Sequence, residues 1–271
     1  SFQGDMEMME IAAAMSVLIE SCVNFLALTA TPSPDKGQVI GERWIADTVA
    51  FPLNKKNFVV GAAQMLAAKV SLPIESLEKI LRVTLSPEDA KVHLDFLQLN
   101  DNKWEKAAER VRRACFPEMA KLCIKLANED RSVVPGGGVL LFLDDATEIA
   151  EFTKILEPLM AGQAYTYGPR KNNEDNNNVG IAVTTKRDVA GYNFVRAGAI
   201  VTGVYAQDSH DRYQMRGRIR RVTQKRKQIF YYTVVPNNTI LSLLFARHNT
   251  TDNKNASLKE LAEEFAKKNT S

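Results

Sequence analysis

The 271 residues contain no G-x-x-x-x-G-K-[ST] run, so this chain has no phosphate-cradling loop of that kind. Cysteine is scarce as well. Cys22, Cys115 and Cys123 are odd in number and form no CxxC pair, which excludes a disulfide framework. Buried, reduced thiols of an intracellular protein are expected instead. The histidines His93, His210 and His248 stand apart from one another and from the cysteines, so no metal site is expected. The longest apolar stretch, Ile11 to Leu28, is interrupted by Ser16, Glu20, Ser21 and Asn24, which rules it out as a membrane span. No signal peptide precedes it, and the start at Ser1 reads as that of a fragment. Internal repeats are absent.

Charge of one sign is also lacking, since 35 basic and 32 acidic residues leave a net +3. The distribution is less even than the sum. Eight of the sixteen residues from Arg212 to Lys227 are Lys or Arg and none is acidic, a local patch able to meet phosphates.

Along the chain, Met6 to Glu20 has helical periodicity, and Val23 to Leu28 is a short apolar run closed by Thr29-Ala-Thr-Pro-Ser-Pro. Residues Asp35 to Lys69 read as helical in pieces. Leu77 to Leu85 alternates as a strand does. Ser86-Pro87-Glu88-Asp89 then starts helix, which is expected intermittently from Pro87 to Asn128. Val139 to Leu143 is predicted as a buried strand, followed by helix from Thr147 to Met160 with Glu148, Glu151 and Lys154 on its wet face. Tyr165 and Tyr167 mark a short strand, and Lys171 to Asn178 a polar loop. Further strands are expected at Val179 to Thr184, Ala199 to Val204 and Gln228 to Val235. An amphipathic helix from Ser257 to Lys268 carries Leu258, Leu261, Ala262 and Phe265 on one face. Strands alternating with helices imply a parallel α/β sheet.

Two features imitate a nucleotide site. Val139-Leu-Leu-Phe-Leu-Asp144-Asp145 looks like an apolar strand with a magnesium-holding acidic pair, but without a phosphate loop the two aspartates are better read as helix-start residues. Gly136 to Gly138 precedes a strand rather than joining strand to helix, so it reads as a turn.

The sharpest stretch is Gln214-Met-Arg-Gly217-Arg218-Ile-Arg-Arg221-Val-Thr-Gln224. Arginines three apart on a helix share a face, and Gln214 lies one turn before Arg218. Two guanidiniums beside a glycine suit a γ-phosphate. Taken alone, the same run also fits a solvated basic helix.

This QxxGRxxR…Q pattern resembles the last motif of superfamily-two motors, and its trailing Val222-Thr-Gln224 is similar to Swi/Snf-type translocases, with Thr223 where those have Gly. Val183-Thr184-Thr185-Lys186 with Gly191-Tyr-Asn193-Phe194 resembles the fifth motif. Leu28-Thr29-Ala30-Thr31-Pro32 resembles the third, with Ala30 in place of Gly. Lys69-Val-Ser-Leu-Pro73 and the strand after it are similar to the connector into the second lobe. These four elements follow one another in the family's order.

The resemblance implies a RecA-like parallel sheet with flanking helices. Residues 1–70 would be the tail of the first lobe with the connector, and residues 71–271 the second, helicase C-terminal lobe. ATP and Mg2+ would be held mainly by the first lobe of the same protein. From this chain Arg218, Arg221 and Gln214 would serve catalysis, and Gly191 and Gly217 would approach the nucleotide. Thr184, Thr185, Lys186 and Asn193 would contact nucleic acid, above all double-stranded DNA, while Thr29 and Thr31 couple hydrolysis to movement. The full-length protein would be an ATP hydrolase, inactive as this fragment, located in the nucleus or at a viral or cytoplasmic site. Two alternatives stand beside it, a strand-separating DNA or RNA helicase and a degenerate interaction module.

Overall fold

A computed structural model describes residues 75–98, 103–169, 178–185, 194–205, 215–220, 224–248 and 258–269. The chain divides into two compact units, Ser1–Val59 and Val60–Ser271, and every described residue belongs to the second. The expected elements before residue 71 and the expected boundary at residues 70 and 71 lie outside the described residues.

Six parallel strands make one sheet: β1 (Glu75–Val83), β2 (Gly138–Leu143), β3 (Thr166–Pro169), β4 (Val179–Thr185), β5 (Ala197–Thr202) and β6 (Gln228–Pro236). Their spatial order is β1-β6-β5-β2-β4-β3. The described helices are α1 (Pro87–Gln98), α2 (Trp104–Ala114), α3 (Phe116–Val133), α4 (Ala146–Leu159), α5 (Ile240–His248) and α6 (Leu258–Asn269). The parallel α/β architecture expected from the alternation is thus present. Helix α5 had no counterpart in that expectation. The helix expected intermittently from Pro87 to Asn128 is three helices and runs on to Val133; Pro117 in the first turn of α3 has no N–H with which to continue α2.

Strand β2 shows why the central strands read as unbroken apolar runs. Successive side chains point to opposite faces, and both faces are covered. Val139, Leu141 and Leu143 join Phe116, Met119, Cys123 and Phe152 of α3 and α4 on one face. Leu140 and Phe142 meet Phe194, Ile200, Met215 and Ile219 on the other. Phe116 and Phe152 pack edge to face with centroids 5.5 Å apart. A third cluster joins α2, α5 and α6 through Ala107, Val111, Leu241, Leu244, Leu261 and Phe265. The predicted apolar face of the last helix is therefore its buried face.

Edge strand β1 is charged and mostly exposed, carrying Glu75, Glu78, Lys79 and Arg82, a composition that discourages pairing with a further strand. Cys115 and Cys123 are free and buried, as expected. Burial, with the nearby Asp89 and Glu118 carboxylates adding to it, pushes the Cys115 thiol up to about 12, and burial alone raises Cys123 further. Both are unreactive thiols in the folded protein. Among the described residues no helix is long and apolar enough to cross a membrane.

Candidate functional site

Strand β2 is where the chain changes direction across the sheet. It lies between β4 and β5, and β3 and β4 fall on one side of it while β5 and β6 fall on the other. In open parallel sheets the crevice beyond the carboxyl ends of strands at such a point is where ligands bind. Thr184 and Thr185 end β4 here, level with Phe142 and Leu143 of β2, and Thr202 lies level with Phe142 on the other side. Both threonines are buried at 4% exposure, and the Thr184 hydroxyl donates to the Thr185 carbonyl at 3.3 Å. They are floor residues of this edge. Lys186, Gly191 and Asn193, which follow them, lie outside the described residues.

The two aspartates after β2 behave as helix-start residues. Asp145 is the N-cap of α4 and its Oδ1 accepts the Glu148 amide at 2.9 Å. Asp144 pairs with Arg112 at 3.3 Å. Glu148 was expected on the wet face of this helix, yet it is 1% exposed. Its burial is made tolerable by three donors. Oε2 accepts the Asp144 amide at 2.9 Å and the Tyr205 hydroxyl at 3.1 Å, and Oε1 takes Arg112 Nε at 3.2 Å. The Arg112 guanidinium also lies 4.8 Å from the centre of the Tyr205 ring. Burial, with the Glu148 carboxylate next to it, raises the Tyr205 phenol well above its ordinary range. This cluster locks the turns after β2 and β5 together. With Asp145 capping and Asp144 paired, neither aspartate is arranged as a magnesium ligand. Among the described residues no group of three or more His, Cys, Asp or Glu could hold a metal ion.

The described part of the arginine stretch is not a continuous helix: residues 215–216 are helical and 217–219 form a turn, while Gln214 and Arg221 lie outside the described residues. Ile219 is wholly buried beside Met215, Ile229 and Tyr231, which pins the turn to the sheet. Arg218 follows it inward to 9% exposure. Its amide donates to the Met215 carbonyl at 3.1 Å, and its carbonyl accepts the Phe194 amide at 2.8 Å. The basic run is therefore not a uniformly solvated patch. Arg216 reaches Glu78 of β1 at 2.6 Å and lies over the Tyr231 ring, while the Tyr231 hydroxyl donates to the Arg216 carbonyl at 3.2 Å. Arg226 is committed to Asp130. Gly217, half-buried, sits in the turn between the first two of these arginines.

Sequence reasoning singled out Gln224 as the end of the arginine motif and Arg226 as part of the basic run, but not what they hold, and it missed Asp130, Arg112 and Tyr205 altogether. For Asp130 the sequence signal is glycine. A Cβ on Gly137 or Gly198 would collide with the Asp130 carboxylate and with Arg226, one on Gly138 with the Gly180 carbonyl, and one on Gly180 with the Tyr165 ring.

No family model matches the chain, and no curated protein matches it. Among solved structures it is similar to the C-terminal part of the Fun30 ATPase domain, with a TM-score of 0.48, 12% identity, and 71% of this chain and 95% of that one covered. It is also similar to the SWI2/SNF2 ATPase core of Sulfolobus solfataricus in complex with dsDNA, at 0.46 and 15% identity, covering 71% of this chain and 49% of that one. A third is the C-terminal domain of the SWI2/SNF2 ATPase from the same organism, at 0.42 and 12%, with 71% and 97% covered. The chain thus spans about half the length of the DNA-bound core.

Proposed function

We propose that this chain is the second RecA-like lobe of an ATP-driven nucleic-acid translocase of the Swi/Snf type. In this reading a first lobe of the same protein supplies the phosphate-binding loop and the acidic magnesium ligands. Arg218 and Arg221, with Gln214, reach the nucleotide across the cleft, where Gly191 and Gly217 permit close approach. Arginines placed this way stabilise charge that builds up during phosphoryl transfer. Thr184, Thr185, Lys186 and Asn193 face the nucleic-acid backbone, which such loops hold through hydroxyls and amides. Thr29 and Thr31 couple the two events. This chain alone would not hydrolyse ATP.

One observation carries the reading. The Phe194 amide donates to the Arg218 carbonyl at 2.8 Å, so the stretch that ends the nucleic-acid loop and the stretch that bears the arginine are physically one unit. A change at either is felt at the other. That is what a motor needs in order to link hydrolysis to grip, and an interaction module has no use for it.

The test is ATP hydrolysis by the protein carrying both lobes, with duplex DNA, single-stranded DNA or RNA added. Stimulation mainly by duplex DNA supports the translocase. Stimulation mainly by single strands points to a strand-separating helicase, and hydrolysis under no condition leaves an interaction module.

A further inference from the structure

We infer that Gln224, Arg226 and Asp130 form a rigid mount for the Arg218 turn and act as positioning residues for that arginine. The inference rests on the role proposed for Arg218.

The mount begins in α3. Asp130, near the end of that helix, receives both prongs of the Arg226 guanidinium, Nε on Oδ1 and Nη2 on Oδ2. The same carboxylate accepts the amide of Gly138, the first residue of β2, at 2.6 Å, and the amide of Gly198 in β5. Side-chain exposure is 8% for Arg226 and 14% for Asp130. One acid thus ties together a helix end, two strand starts and the segment that follows the arginine turn.

Gln224 passes this anchorage on. Its side-chain oxygen accepts Arg226 Nη1 at 2.9 Å as well as the amides of Lys225 and Arg226. Its side-chain nitrogen donates to the Ala197 carbonyl at 3.0 Å and the Ile219 carbonyl at 2.9 Å. The two donated bonds require an amide in this orientation, because only the nitrogen can donate to two carbonyls. The Arg218 carbonyl is held by Phe194 and the next carbonyl, on Ile219, by Gln224. Both peptide planes after the Arg218 Cα are fixed, and with them the base from which its side chain extends.

Stability alone does not call for this arrangement. A buried ion pair gains little over well-packed apolar groups of the same volume, because desolvation offsets the attraction. A planar, two-pronged guanidinium does supply geometry, since its hydrogen bonds fix direction as well as distance. A misplacement of about 1 Å in a reacting assembly costs on the order of a hundredfold in rate, so a fixed base has kinetic value.

The test uses the protein with both lobes and compares Gln224→Glu, Arg226→Lys and Arg218→Ala. Gln224→Glu keeps an acceptor for Arg226 but sets a carboxylate against the Ala197 and Ile219 carbonyls. Its kcat should fall roughly tenfold to a hundredfold, with KM for ATP and affinity for nucleic acid within about twofold of native. Lowering the pH protonates the introduced carboxyl and restores a donor, so kcat of this variant should partly recover while that of the native protein does not. Hydrogen exchange at the Phe194 amide should speed up. Arg226→Lys keeps the charge on Asp130 but loses the fork, and a smaller fall in kcat, without recovery at low pH, is expected; it also serves should the glutamate variant not fold. Full kcat in a folded Gln224→Glu or Arg226→Lys protein, with Arg218→Ala inactive, would overturn the mount and leave the role of Arg218 standing. Native activity in Arg218→Ala would remove both.

Discussion

Glu148 and Arg112 meet at 3.2 Å across thirty-six residues of chain, and their side chains are only 1% and 11% exposed. The pair is shared with Tyr205, whose hydroxyl donates to the same carboxylate from the turn after β5. Three separate segments are thereby closed around one buried charge. Glu148→Ala would strand Arg112 with Asp144 alone and leave the Asp144 amide and the Tyr205 hydroxyl without their acceptor. A loss of about 3–5 kcal/mol is expected, as for other broken buried pairs, with Glu148→Gln falling between that and native. Chemical denaturation of the three proteins checks it, and a loss below about 1 kcal/mol for the alanine variant would mean the carboxylate is solvated in solution.

Arg218→Ala addresses the chemistry. In the protein with both lobes, ATP turnover should fall on the order of 10³–10⁵, with only a modest change in ATP affinity. Arg221→Ala should behave alike. Steady-state hydrolysis and nucleotide titration separate the two quantities. Normal turnover in both variants would rule out an arginine finger in this stretch.

Acid sensitivity has a specific source. His93, wholly enclosed between α5 and α6, accepts from the Ile240 amide at 3.5 Å and packs edge-on to Phe265. Burial lowers it from 6.5 to about 4. Its folded value lies below its unfolded one, so between pH 6.5 and pH 4 the unfolded chain binds the extra proton. Stability should be complete above about pH 6.5 and decline as pH falls through that window, by up to about 1.4 kcal/mol per pH unit. His93→Gln, which keeps an acceptor, should flatten this part of the profile. Unfolding midpoints at pH 7, 6 and 5 for both proteins decide the matter.

Gly198→Ala probes the amino edge of the sheet. The added methyl would press on the Asp130 carboxylate and the Arg226 guanidinium, which are held to each other by two hydrogen bonds. A destabilisation of about 1–3 kcal/mol is expected from such overpacking. If the folded variant instead matches native in a denaturant titration, the carboxylate is not held as described.

How much of this was legible depended on how local each cause is. Strand β2 is apolar along its length and β4 as far as Val183, and Asp145 stands where a cap belongs, so these could be read from a short window. The Phe194 and Arg218 stretches were legible as motifs, though not as hydrogen-bonded partners. Glu148 was misread because helical spacing beside Glu151 and Lys154 looks like a wet face. The reasons for its burial, Arg112 and Tyr205, are thirty-six residues before it and fifty-seven after. The Asp130 and Arg226 pairing spans ninety-six residues, beyond the reach of any periodicity. Helix α5 went unassigned because a short apolar run such as Ile240 to Phe245 fits a strand or a helix equally well.

The glycines at the amino edge also bear on how this fold can diverge. At Gly137, Gly138, Gly180 and Gly198 a lineage already has the smallest side chain available, so no compensating step exists in that direction. At the carboxyl edge the close contacts are between side chains, as with Glu148, Arg112 and Tyr205, and paired exchanges can keep them satisfied. A substitution in that cluster can therefore be offset by a change in its partner. At the amino edge the offset has to come from the larger neighbour, such as Tyr165 beside Gly180 or Asp130 beside Gly198.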